Sequence, residues 1–151
     1  MVSVDGFNVH RCWNLDHKDN QSLSDLFDVI SSEGLTSVIV QFNYGFFNFN
    51  ELENLISLCK KSNIRVILIM HSTIDPVPNL FKNLKNLSTT LRSCDRVLVH
   101  TPQDLNRLKN IDLTENVTLF PHGILDYTPV RSNFFSLHQF TQNIKNRRIS
   151  S

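Results

Sequence analysis

Three short apolar runs in this chain of 151 residues each end in a histidine: Val66-Ile-Leu-Ile-Met-His71, Val97-Leu-Val-His100 and Val117-Thr-Leu-Phe-Pro-His122. Imidazole exchanges protons near neutral pH and, when neutral, also ligates metals. The three residues therefore admit two chemistries. One is hydrogen bonding or proton exchange with a substrate hydroxyl; the other is zinc ligation. His71 is the stronger candidate for the first, because it ends what reads as a central strand and precedes Ser72-Thr73 and a proline-bound loop. His100 and His122, taken singly, read equally well as polar residues that hydrogen-bond the loops beside them. As zinc ligands, the three would come from separate strands, at distances the sequence does not fix.

The elements that must position these histidines follow from periodicity. The first two runs are almost purely apolar, as in strands buried on both faces of a parallel sheet covered by helices. In open sheets of that kind ligands collect outside the carboxyl ends of the strands, so parallel neighbours would bring the histidines to one edge. Leu23, Leu26, Phe27 and Ile30 mark a helix over about Ser22 to Ser32, which Gly34 stops. Thr36 to Phe42 is rich in β-branched residues and reads as a strand. Asn50 and Glu53 have the spacing of a capping box, opening a helix with Leu52, Leu55, Ile56 and Cys59 inward. Ile64 to Met70 is the next strand, and two prolines make Ser72 to Pro78 a loop. Leu80, Leu84, Leu87 and Leu91 predict a long helix, then Arg96 to His100 a strand. Thr101, Pro102 and Asp104 start a further helix, with Leu105 and Leu108 inward. Asn116 to Phe120 is the last clear strand.

Strand and helix thus alternate at the intervals of βαβ units. The expected fold class is α/β, a Rossmann-like parallel sheet flanked by helices, over residues 22–126. Residues 1–21 read as an irregular segment containing a strand or two. Residues 127–151 read as an extension or the start of an interdomain linker, with Asn133 to Lys145 patterned for a helix through Phe134, Leu137 and Phe140.

Composition narrows the function classes. The chain is 40% hydrophobic and 19% charged with a net charge of +1, which gives no general attraction to nucleic acid or an anionic membrane. Lys145, Arg147 and Arg148 form the one local basic candidate, read more simply as a solvated terminal segment. Three widely spaced cysteines (Cys12, Cys59 and Cys94) suggest a reducing compartment rather than a disulfide framework or zinc knuckle, with Cys59 and Cys94 read as core thiols. No secretory signal or long apolar run is present, so the expectation is a cytoplasmic protein with at most peripheral membrane association. A dinucleotide fingerprint, a P-loop and a nucleophile elbow are absent.

A further aromatic loop, Asn43-Tyr-Gly-Phe-Phe-Asn48, follows the first strand. Its rings either cap the core or form a platform for an apolar-faced ligand such as a sugar, and Gly45 permits its turn. The stretches Val40-Gln-Phe-Asn-Tyr-Gly-Phe-Phe47, Ile69-Met-His-Ser-Thr73, Cys94-Asp-Arg-Val-Leu-Val-His-Thr101 and Leu119-Phe-Pro-His-Gly-Ile124, in this order, resemble the N-terminal domain of family 4 GT-B glycosyltransferases, particularly those that build bacterial polysaccharides. The resemblance implies retaining transfer of a sugar from a nucleotide-sugar donor to a glycan or lipid-linked acceptor, without a metal or other cofactor. It implies that this domain mainly binds acceptor and that His71 faces the transferred sugar as the catalytic residue. It further implies that Asn43, Tyr44, Gly45, Phe46, Ser72, Thr73, His122 and Gly123 line the substrate cleft.

The chain also departs from the family pattern. Asn43 stands where related sequences often carry an acid, and Gly6 is the only glycine before Gly34, so the usual glycine-rich loop is missing. No two glutamates have the Glu-x7-Glu spacing of the donor-binding domain. The expectation is an acceptor-side half truncated at both ends and inactive alone, either cut from its donor-binding domain or working with one encoded separately. The alternatives are a non-catalytic binding module of the same fold, and a metal-dependent α/β hydrolase built on the histidines.

Overall fold

A computed structural model of the chain describes residues 2–4, 7–12, 22–77 and 82–123. The expected helix over 133–145 and the basic group at 145–148 lie outside them. The first two elements, β1 (Val2–Val4) and β2 (Phe7–Val9), pair as an antiparallel hairpin. Then follow α1 (Ser24–Ser32), β3 (Ser37–Phe42), α2 (Phe49–Lys61) and β4 (Arg65–Met70). A 3-10 turn at Leu84–Leu87 runs directly into α3 (Ser88–Ser93), followed by β5 (Arg96–Val99), α4 (Pro102–Lys109) and β6 (Val117–Leu119). Strands β3 to β6 form one parallel sheet in the order β3-β4-β5-β6, so an α/β fold with a parallel sheet flanked by helices is observed.

The chain order of the strands is also their spatial order, and this has a physical consequence. Each connection crosses to the next strand in the same direction. Right-handed crossovers then place every linking helix on the same face. The burial pattern agrees. Val66, Leu68 and Met70 on β4, with Val97 and Val99 on β5, are 0–1% exposed and share one face by register with Phe42. They pack with Leu52, Leu55, Ile56, Cys59, Leu91 and Leu108 from the helices in one core cluster. On the opposite face Ile67, Ile69 and Leu98 are only half-buried and Ile39 is exposed. Burial on both faces, expected from the apolar runs, therefore holds for one face only among the described residues.

Local chemistry sets the element ends. Gly34, at φ +63°, takes the left-handed turn after α1 and donates its N–H to Ser31 O at 3.1 Å. A methyl there would meet nothing within 4 Å, so Gly34→Ala should cost only the backbone penalty, about 1–2 kcal/mol, read from the denaturation midpoint. Thr101 caps α4 as expected, accepting from Asp104 N at 3.1 Å with Pro102 at the first position.

Two expected elements are corrected. The cap of α2 is Asn48, whose Oδ1 accepts from Asn50 N at 2.9 Å, so Asn50 lies inside the helix and the Asn50–Glu53 box does not form. The long helix through Leu80 is, within the described residues, a short bent piece. Asn83 Oδ1 accepts from Asn86 N at 3.0 Å and starts a tight turn there. Leu84, Leu87 and Leu91 are still buried, because a 3-10 turn followed by an α turn preserves their spacing on one side. Near the strand starts, Asp95 accepts from Lys60 Nζ and from Val66 N, both at 2.7 Å, and thereby ties α2 to β4 and β5. The Lys60 bond leads in holding that carboxyl below its ordinary range, with the Val66 N–H assisting.

Candidate functional site

Parallel strands that end level carry their next residues to one edge. His71 follows β4 and His100 follows β5 directly, and His122 lies three residues past β6. Their rings meet: centroids are 3.6 Å apart for His100 and His122, 5.5 Å for His71 and His100, and 6.5 Å for His71 and His122. His71 Nε2 lies 2.5 Å from Gln41 Oε1 on the neighbouring strand. With the amide oxygen turned to the ring, Nε2–H donates and Nδ1 is left as an acceptor. His100 Nδ1 lies 2.9 Å from Phe120 O, and a carbonyl only accepts, so the proton sits on Nδ1. That bond ties the end of β5 to the segment after β6, the kind of local hydrogen bond to a neighbouring loop that His100 also admits from sequence. Its Nε2 is buried and has no hydrogen-bond partner, beneath the stacked ring of His122.

The stack has a bearing on the zinc reading. A metal bound by imidazole lies in the plane of the ring. The planes of His100 and His122 are within 20° of parallel and offset by the stack, so they do not converge on one ion. Among the described residues no group of three or more His, Cys, Asp or Glu side chains is arranged to hold a metal. Burial pushes the Cys94 thiol up to about 12, with the Asp95 charge adding to it, and burial alone raises Cys59. Neither supplies a thiolate near neutral pH.

The aromatic loop after β3 divides into inward and outward parts. Asn43 Oδ1 accepts from Gly45 N at 2.9 Å and closes the turn. Tyr44 and Phe47 are each 6% exposed and pack on Phe42, with centroids at 5.2 and 6.1 Å. These two cap the core. Phe46 faces outward, 46% exposed. The Tyr44 hydroxyl donates to Asp75 Oδ1 at 3.0 Å, and Leu84 N donates to the same oxygen at 2.7 Å. Burial first, then the bond to Asp75, raises the Tyr44 phenol well above its ordinary value. Lys82 Nζ donates to Tyr44 O at 2.7 Å. The loop is therefore braced against the segment that follows His71.

That segment is held from its other side by α4. Thr73 is buried, and its hydroxyl donates to Asp104 Oδ1 at 2.5 Å while accepting from Arg107 Nη1 at 3.1 Å. Asp104 also accepts from Thr101 Oγ1 at 2.6 Å and from Arg107 at 3.0 Å. Burial pushes the Asp104 carboxyl up, but the Thr101 and Thr73 bonds and the Arg107 charge outweigh it and hold it below its ordinary value. A carboxyl depressed in the folded state contributes stability above its unfolded pKa of about 3.9 that is lost as pH falls through the folded value. Asp104→Asn should therefore destabilise by about 1–3 kcal/mol at pH 7, and the gap from the parent should narrow on acidification below about pH 4. Denaturation at pH 7 and pH 2.5 checks both halves.

Of the residues expected to line a cleft, His71, His122 and Phe46 are exposed at or beside the carboxyl edge, and Gly45 and Gly123 present open backbone there. Tyr44 and Thr73 turn inward as braces. Asn43 and Ser72 serve local turns, Ser72 Oγ accepting from Ile74 N at 3.1 Å. Sequence reasoning missed Asp75 and Arg107 as partners in these braces. The nearest signals were the acid ahead of Pro76 and the paired charges of α4. Compared with protein-family models, curated proteins and solved structures, the chain matches none. No helix among the described residues is long and apolar enough to cross a membrane.

Proposed function

We propose that the chain is the acceptor-side half of a glycosyltransferase of GT-B architecture. It holds a glycan or lipid-linked acceptor, while a donor-binding domain brings the nucleotide sugar. The reaction belongs to the cytoplasm, as the unpaired thiols suggest. The observation that carries this reading is the meeting of His71, His100 and His122 at the carboxyl edge of a parallel sheet, where ligands of open α/β sheets bind. His71 is the catalytic residue. Its Nδ1, left free by the Gln41 bond, accepts a hydrogen bond from a sugar hydroxyl at the reacting centre. Exposed Phe46 offers an apolar surface to a sugar face, and His122 with Gly123 closes the opposite side. Charge stabilisation by the donor half completes the site, so this chain alone does not turn over.

Thermal denaturation in the presence of ligands tests the reading. Candidate glycan acceptors at 100 times their dissociation constant should raise the melting point through about 2.7 kcal/mol of linkage, and nucleotide sugars should raise it little. Turnover of a nucleotide sugar by the purified chain would overturn the proposed division of labour.

A further inference from the structure

The sheet face opposite the helices has a composition of its own. Ile39, Ile67, Ile69 and Leu98 are neighbours across β3, β4 and β5 by register, Ile39 beside Ile67 and Ile69 beside Leu98. Ile39 is 61% exposed and the other three are half-buried, with no described helix over them. Parallel sheets are stable when both faces are covered, and a helix layer is the usual cover. At the amino-terminal margin of this face lie Arg65 and Arg96, both exposed. Among the described residues neither has a carboxylate partner; Arg96 reaches only the carbonyl of Asp95, at 3.4 Å. The strand positions of this face from Ser37 to Gln41, Arg65 to Ile69 and Arg96 to Leu98 include no acid. The patch is thus apolar at its centre and cationic at one end.

We propose that this face docks an amphipathic helix of a partner protein, with its apolar stripe on Ile39, Ile67, Ile69 and Leu98 and acidic residues against Arg65 and Arg96. The stripe supplies affinity through apolar burial. The acidic residues fix the direction in which the helix lies and exclude basic helices, since like charges at that margin repel. This surface reaches the histidine edge at Gln41, which bonds His71, but the inference does not depend on sugar transfer being the activity.

The probe is a pair of synthetic helices of about 18 residues, long enough to cross the face. Both carry leucine at i, i+3, i+4 and i+7; one has glutamate and the other lysine along its flank. Fluorescence anisotropy with the full chain should show the glutamate helix binding at least about tenfold more tightly. The Arg65→Glu, Arg96→Glu double variant should reverse that preference, and Ile39→Asp should abolish binding of both while leaving the melting point unchanged. Equal binding of the two helices, or none, overturns the proposal. So does a fall of more than about 4 °C in the melting point of Ile39→Asp, because the face would then already be covered by the chain itself. A dimeric parent that Ile39→Asp renders monomeric overturns it in favour of a second copy, and co-sedimentation of the parent but not of the arginine variant with anionic vesicles overturns it in favour of a lipid surface.

Discussion

His71→Ala, in an assembly that supplies the donor-binding domain, is expected to lower kcat by about 100-fold or more, the usual effect of removing one group that hydrogen-bonds the reacting centre. The melting point should hardly move. His71 is exposed beyond the end of β4, and its side chain makes one hydrogen bond, to the exposed Gln41. Surface changes of this sort lie within about 0.5 kcal/mol. The position of the effect matters as much as its size. If Gln41 fixes the tautomer, Gln41→Ala should lower kcat by a smaller factor without raising KM, because Gln41 positions His71 and does not itself touch substrate. Full activity in His71→Ala would remove the residue from the chemistry. A loss confined to KM would make it an ordinary binding contact.

The largest effect on stability is expected for Leu68→Ala. Leu68 is fully buried at the centre of β4, between Val40 on β3 and Val97 on β5. Truncating a buried leucine leaves a cavity and costs about 2–5 kcal/mol. Against a typical total of about 5–15 kcal/mol, that is a substantial fraction. Ile69→Ala, one residue on and facing the other way, should cost clearly less, because its side chain is half-buried and its removal opens no enclosed cavity. Chemical denaturation of the two variants side by side measures how one-sided the helical layer is. Equal losses would mean that the second face is as well packed as the first.

How much of this was legible in the sequence varies with the range of the interaction. Gly34, Thr101 and Pro102 could be read because a cap or stop is decided within a few residues. Asn48 was missed for the same kind of reason. Asn48 and Asn50 are both cap formers, and only the extended backbone of Asn48, at φ −74° and ψ 131°, decides between them. The leucine spacing foretold which side chains are buried, yet a 3-10 turn satisfies it as well as a continuous helix. The apolar run of β4 gave its strand but not its cover: among the described residues no helix lies over Ile67 and Ile69, which are half-buried. The meeting of the histidines followed from parallel strands ending level. The Thr73–Asp104–Arg107 brace joins partners 31 and 34 positions apart and left no local pattern to read. The inward turn of Tyr44 likewise depends on Asp75, 31 residues away.

The central claim is that the edge of His71, His100 and His122 receives an acceptor. It is tested most directly by following the imidazole resonances of the full chain by nuclear magnetic resonance during titration with candidate glycan acceptors and, separately, with nucleotide sugars. Saturable shifts of His71 and His122 with an acceptor, and none with the nucleotide sugar alone, are the predicted result. Saturable acceptor binding that leaves all three imidazoles unmoved would contradict the claim.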